Sequence, residues 1–247
     1  MRRTTFTAGC LGLLGTAWVL AEDASTNARA DRVDLFQVQL RCEAAPQIGC
    51  GSLSKPILLE LERDPVIREA WLNRTGTVLA VAGTEASNHE SISKAVESIL
   101  EKNGVSANEL ASDAYARELK SFTSGTDWYR GAEVDALSKI EARTIAQRIV
   151  HRIQATVTLA PEKAAALEAG IAIAFEHRFI DSPNSTDSKR EQLIKDIKAV
   201  AQVNLDEKGI AALEAAFTKG IKPQPEDNEI RTSKPATPAC CQFPSQS

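Results

Sequence analysis

From Val33 to Leu40 the chain alternates apolar and polar residues and then runs into two cysteines, Cys42 and Cys50, with seven residues between them. The second lies in Ile48-Gly49-Cys50-Gly51-Ser52, at the head of an apolar segment. A period of two is that of a half-buried strand, with Val33, Leu35 and, after a slip at Phe36, Val38 and Leu40 turned inward. Beyond Cys50, Ser54 is placed to cap a helix that carries Pro56 in its first turn and Ile57, Leu58 and Leu61 on one face. Asp64-Pro65 ends it, because proline has no amide to continue the ladder. The chain is therefore held to a strand, a loop with a thiol near each end, and a helix. Such a pair can close a disulfide, exchange one, or hold a soft metal ion.

Two extended runs follow, Val66 to Leu72 and Thr77 to Ala82, joined by a turn in which Gly76 supplies the positive φ of a bulged hairpin. Ile92, Ala95, Val96, Ile99 and Leu100 recur at helical spacing between His89 and Lys102, and Asn103-Gly104 closes that helix with a left-handed cap. Val105-Ser106-Ala107 suits an edge strand. Downstream the periodicity is helical throughout. Ser106…Glu109 and Ser138…Glu141 have the spacing of capping boxes. The second opens a helix with Ile140, Ile145, Ile149 and Ile153 on its apolar face. Ser121 to Gly131 is expected to be a loop, with Trp128 and Tyr129 in it. From Ile221 onward, Pro223, Pro225, Pro235, Pro238 and Pro244 stand among polar residues, a composition too poor in apolar groups to offset chain entropy.

Over residues 33–108 the βαββα order, with Leu58-Leu-Glu-Leu61, Asp64-Pro65-Val66, the Ala70-Trp-Leu-Asn73…Gly76-Thr-Val78 hairpin and Glu90…Asn103-Gly104, resembles the heavy-metal-associated domain. That family is a ferredoxin-like βαββαβ module whose metal ligands are two cysteines, C-x-x-C, at the first loop and helix start. The resemblance implies a ligand role for Cys50, beside the helix, and more weakly for Cys42, since the longer loop must fold back for the two sulfurs to meet. It does not reach the helical half.

The expected organisation is α+β: a leader at 1–21, a ferredoxin-like domain at 33–108, an all-helical domain at 109–220 and a disordered proline-rich tail at 221–247 carrying Cys240 and Cys241. Arg2 and Arg3, the apolar run Ala8 to Leu20 and Val19-Leu20-Ala21 have the form of an export signal cut after Ala21. Losing Arg2 and Arg3 from the 29 basic residues leaves 27 against 33 acidic ones, a balance of −6 that argues against nucleic acid or an anionic membrane as partner. The expected location is the periplasm or the exterior, where disulfides persist.

No GxSxG, HExxH or complete phosphate-binding loop is present, and the only methionine is Met1, so soft-metal chemistry must rest on thiolates. The expected function is non-catalytic binding or handling of a soft ion, copper, mercury or zinc, by Cys42, Cys50, Cys240 and Cys241, with the ion or a partner protein as ligand. One alternative is thiol–disulfide exchange on a thioredoxin-like fold, with Cys50 attacking and Cys42 resolving. Another is an interaction module with structural disulfides. A hairpin at 66–82 favours the metal-domain fold and a continuous helix from 56 through 72 the thioredoxin-like one.

Overall fold

A computed structural model describes residues 33–181 and 187–229. The expected leader, the two tail cysteines and everything past Glu229 lie outside the described residues. The fold is mixed α and β, built on a five-stranded antiparallel sheet in which Ala107–Glu109, Val33–Val38, Val78–Gly83, Ile67–Asn73 and Trp128–Arg130 lie side by side in that order. β1 is Val33–Val38, α1 Gly51–Leu61, β2 Ile67–Asn73, β3 Val78–Gly83, α2 His89–Lys102 and β4 Ala107–Glu109. The hairpin expected at 66–82 is present, with Gly76 at φ 69°, and α1 stops at Leu61, so the long helix of a thioredoxin-like fold is absent. α2 is closed by Gly104 at φ 70°, as its sequence implies.

The slip at Phe36 is not a slip. Phe36, Val38 and Leu40 pack with Ile57, Leu58 and Leu61 of α1 and with Val96 and Leu100 of α2. Val33 and Leu35 face the other way, into a cluster with Trp71, Ala80 and Phe122. Both faces of the sheet are covered, so β1 is apolar on both, which is why a one-sided alternation fails there. The second face is covered by α3, Ser112–Thr123, whose Tyr115 hydroxyl donates to the Val33 carbonyl at 2.7 Å.

Three local expectations are corrected. Ser106…Glu109 opens no helix: residues 107–109 bond to the free edge of β1, pairing Val38 with Ala107 and Phe36 with Glu109, and a ladder with an existing strand outweighs a local cap. Trp128–Arg130 is a strand, β5, on β2, in place of a loop. Arg130 there bonds Glu62 at 3.0 Å and Glu69 at 2.8 Å, and its guanidinium lies over the Trp71 ring. The sheet and its covering helix thus extend past residue 108. The helix expected to open at Ser138 begins at Asp135, directly after a 3₁₀ turn at Gly131–Val134.

That helix, α4 (Asp135–Gln154), is followed by α5 (Pro161–Ile180), α6 (Asp187–Asn204), α7 (Glu207–Thr218) and the short α8 (Glu226–Glu229). Leu137 of α4 belongs to the cluster beneath α1, whereas Ile145, Ile149 and Ile153 pack with Leu167, Ile171 and Phe175 of α5. α4 therefore joins the sheet to the helical body. Residues 221–229, assigned by composition to a disordered tail, are folded onto α4: Arg152 donates to the Lys222 carbonyl and to both carboxylate oxygens of Asp227. The described helices include none long and apolar enough to cross a membrane.

Candidate functional site

The loop between β1 and α1 does fold back. Cys42 N–H donates to the Ile48 carbonyl at 3.0 Å and Ile48 N–H to the Ala45 carbonyl at 3.0 Å, a tight turn with Pro46 at its second position. Arg41 and Gly49 form an antiparallel bridge. The loop is bolted to the hairpin as well, by Gly49 N–H to the Arg74 carbonyl and Leu40 N–H to the Gly76 carbonyl. Ala44, Ala45 and Ile48 are buried, and together with Cys42 they pack into the core of the helical body. Apolar burial of this small-residue turn, with its amides satisfied, is what returns the chain and brings the two sulfurs together.

Cys50 is the N-cap of α1, four residues earlier than the cap expected at Ser54. Its amide is taken by the Leu40 carbonyl at 2.7 Å, and its own carbonyl accepts from Ser54 N–H and, at 2.7 Å, from the Ser54 hydroxyl. That satisfies Ser54 inside the helix and fixes Cys50 where the first free amides of α1 point. The chain around it is crowded: a Cβ on Gly51 would overlap Ser138 and the Val134 carbonyl, and Lys55 pairs with Asp135 at 2.7 Å. α1 and α4 are thus locked together by their first turns.

Cys42 and Cys50 are free thiols whose titrations are tied to each other. Cys42 is buried and Cys50 half-buried. Cys42 keeps the shared proton. Its pKa is pushed far up, first by the bond it donates to Cys50, then by burial and by its neighbour Glu141, against a contrary effect of Ala45 N–H, which donates to its sulfur at 3.3 Å. The same bond from Cys42 lowers the Cys50 thiol to about 6, against burial, with help from the Ser52 hydroxyl 3.4 Å away and the Ser52 and Leu53 amides. A helix start carries partial positive charge, which favours the thiolate there.

A third group, missed in the sequence, completes the site. Glu141 of α4 is 5% exposed, interacts with the Cys42 thiol, and has one carboxylate oxygen, Oε2, with no partner. One turn back, the Ser138 hydroxyl is also buried and unpartnered. Burial pushes the Glu141 carboxyl up to about 7; the bond with Cys42 opposes this and the Cys50 charge adds to it. The signal was available: Glu141 stands between Leu137 and Ile145 at the four-residue spacing of the buried stripe. It was hidden by its likeness to the third residue of a capping box.

Of the four cysteines proposed as ligands, two meet, and Cys240 and Cys241 lie outside the described residues. Among the described residues no group of three or more His, Cys, Asp or Glu side chains is arranged to hold a metal ion. Glu141 offers the thiol pair only a hard oxygen, which a soft ion takes poorly. His89, at the start of α2, bridges Asp34 at 2.9 Å and Glu109 at 3.0 Å. No family model, no curated protein and no solved structure matches the chain.

Proposed function

We propose that the protein carries out thiol–disulfide exchange, with Cys50 as the attacking sulfur and Cys42 as the resolving one. The observation that supports this most is the asymmetry of the pair. One sulfur is half-exposed at a helix start and inclined to be thiolate; the other is buried and keeps its proton. In the exchange, the Cys50 thiolate attacks a substrate disulfide and forms a mixed disulfide while one substrate thiolate leaves. Cys42 then loses its proton, attacks the Cys50 sulfur and releases the second substrate thiolate, so the two electrons lost by the cysteines go to the substrate.

The unit carrying this pair is proposed to be the ferredoxin-like one implied by the resemblance, an inference supported by the strand order and by helices after β1 and β3, with β5 added at the edge. Binding of a soft ion by the same two sulfurs is the second reading. It needs both as thiolates, so the proton held by Cys42 weighs against it. Outside the cytoplasm, where Arg2, Arg3 and the following apolar run would direct the chain, exchange partners are oxidising and abundant.

The test is alkylation of the reduced protein by iodoacetamide from pH 4.5 to 9, read residue by residue by mass spectrometry. Cys50 is expected to label with a midpoint near 6, gaining reactivity as pH rises through that value, while Cys42 stays unlabelled until the protein unfolds. Equal labelling of both with an ordinary thiol midpoint near 8.5 contradicts the assignment.

A further inference from the structure

We propose that Glu141 is the acid–base catalyst for the Cys42 half of the exchange, which makes α4 a working part of the thiol centre. This rests on the exchange reading. The geometry suits a proton carrier: a carboxyl nine-tenths buried, interacting with the sulfur that must gain and lose a proton, with its Oε2 unpartnered and, one turn earlier on the same helix, the buried Ser138 hydroxyl unpartnered as well. A buried carboxyl without a cation is expensive to retain for stability, and the described residues give it no basic partner. It is also held in place. The Lys55–Asp135 pair and the contact of Gly51 with Ser138 fix the first turns of α1 and α4 against each other, and Glu141 follows Ser138 by one turn.

In resolution, the Glu141 carboxylate takes the proton from the Cys42 sulfur as that sulfur attacks the Cys50 side of a mixed disulfide; the S–S bond to substrate breaks and the substrate sulfur leaves as thiolate. In the reverse direction an external thiolate attacks Cys50 in the Cys42–Cys50 bond. Cys42 is a poor leaving group as a buried thiolate, and the protonated Glu141 returns the proton to it. The same carboxyl therefore serves oxidation when ionised and reduction when protonated. Its raised pKa, about 7, keeps both forms populated near neutrality.

The experiment uses the full chain, oxidised with glutathione disulfide, and follows reduction of the Cys42–Cys50 bond by dithiothreitol between pH 5 and 9, with rates divided by the dithiothreitol thiolate fraction. In the wild type the corrected rate is expected to fall as pH rises through the titration of Glu141, which burial holds above the ordinary carboxylate range. Glu141→Gln should be slower by about 100-fold at pH 6 and lose that pH dependence. A merely structural Glu141 would leave the profile unchanged, so Glu141→Gln matching the wild type in rate and profile overturns the proposal. Should Glu141→Gln fail to fold, the wild-type profile decides: a flat corrected rate overturns it. Failure of glutathione disulfide to form the Cys42–Cys50 bond at all would instead overturn the exchange reading beneath it.

Discussion

Replacing Arg152 by alanine is expected to destabilise the protein by about 3–5 kcal/mol, the range for removing one partner of a buried ion pair. The Arg152 side chain is 4% exposed and pairs with Asp227 through both carboxylate oxygens, at 2.9 and 2.7 Å. It also donates to the carbonyls of Ala216, Gly220 and Lys222. Truncation leaves those acceptors in a site shaped around a planar fork, with Arg148 Nε remaining 3.6 Å from Asp227. Lysine in place of Arg152 cannot reproduce the bidentate contact and should recover only part of the loss. Burial pushes the Asp227 carboxyl up, but bonds from Arg152 and from Gln224 N–H outweigh it and hold the pKa below the ordinary value. The clamp accordingly contributes above the unfolded-state pKa and weakens as pH falls through the folded-state one. Urea unfolding gives the loss, and limited proteolysis should show new cleavage within residues 216–229. A variant within 1 kcal/mol of wild type, still protected there, would count against the clamp.

The second large effect is expected at the turn joining the hairpin to the cysteine loop. Gly76 has φ 69°, and a Cβ there would meet the Leu40 carbonyl and, at 2.6 Å, the Gly49 Cα. Those are backbone atoms, so no side chain can swing aside. Gly76→Ala combines left-handed strain with overpacking, together about 2–5 kcal/mol. Gly104, at φ 70° with nothing within 4 Å of its Cβ position, is the control. Gly104→Ala suffers the backbone strain alone, about 1–2 kcal/mol. The difference in denaturant midpoint between the two variants isolates the close approach. Because Gly49 immediately precedes Cys50, Gly76→Ala should also slow Cys50 alkylation. Equal losses for the two glycines would show that the loop accommodates the methyl.

Much of the sheet was legible because its signals are local. Gly76 marks a hairpin, Gly104 a helix end, and apolar spacing after His89 a helix, each decided within a few residues. What was lost is decided at long range. The both-sided burial of β1 depends on α3, which arrives some eighty residues later, and the edge strand expected at Val105–Ala107 forms two residues further on, at Ala107–Glu109, because its register is set by the open edge of β1. At the site, the return of the loop stands in the sequence only as the condition for Cys42 to meet Cys50, and its cause, insertion of Ala44, Ala45 and Ile48 into the helical core, is not visible there. Ser54 and Ser138 both read as helix caps, because a serine before an apolar run looks the same whether it stands at a terminus or one turn inside. That single ambiguity displaced the cap from Cys50 and hid Glu141.

The most direct measurement of the central claim is equilibration of the full chain with mixtures of reduced and oxidised glutathione, counting the Cys42–Cys50 bond by mass spectrometry under acid quench. A thiolate stabilised at Cys50 favours the reduced form, so the bond is expected to form reversibly in one two-electron step, at a potential in the range of exchange proteins, about −270 to −120 mV. Cys50→Ser should abolish it, and Cys42→Ser should leave a glutathione mixed disulfide on Cys50. A bond that resists reduction below about −300 mV would identify a structural disulfide, and a pair that forms no bond across the series would contradict exchange at this site altogether.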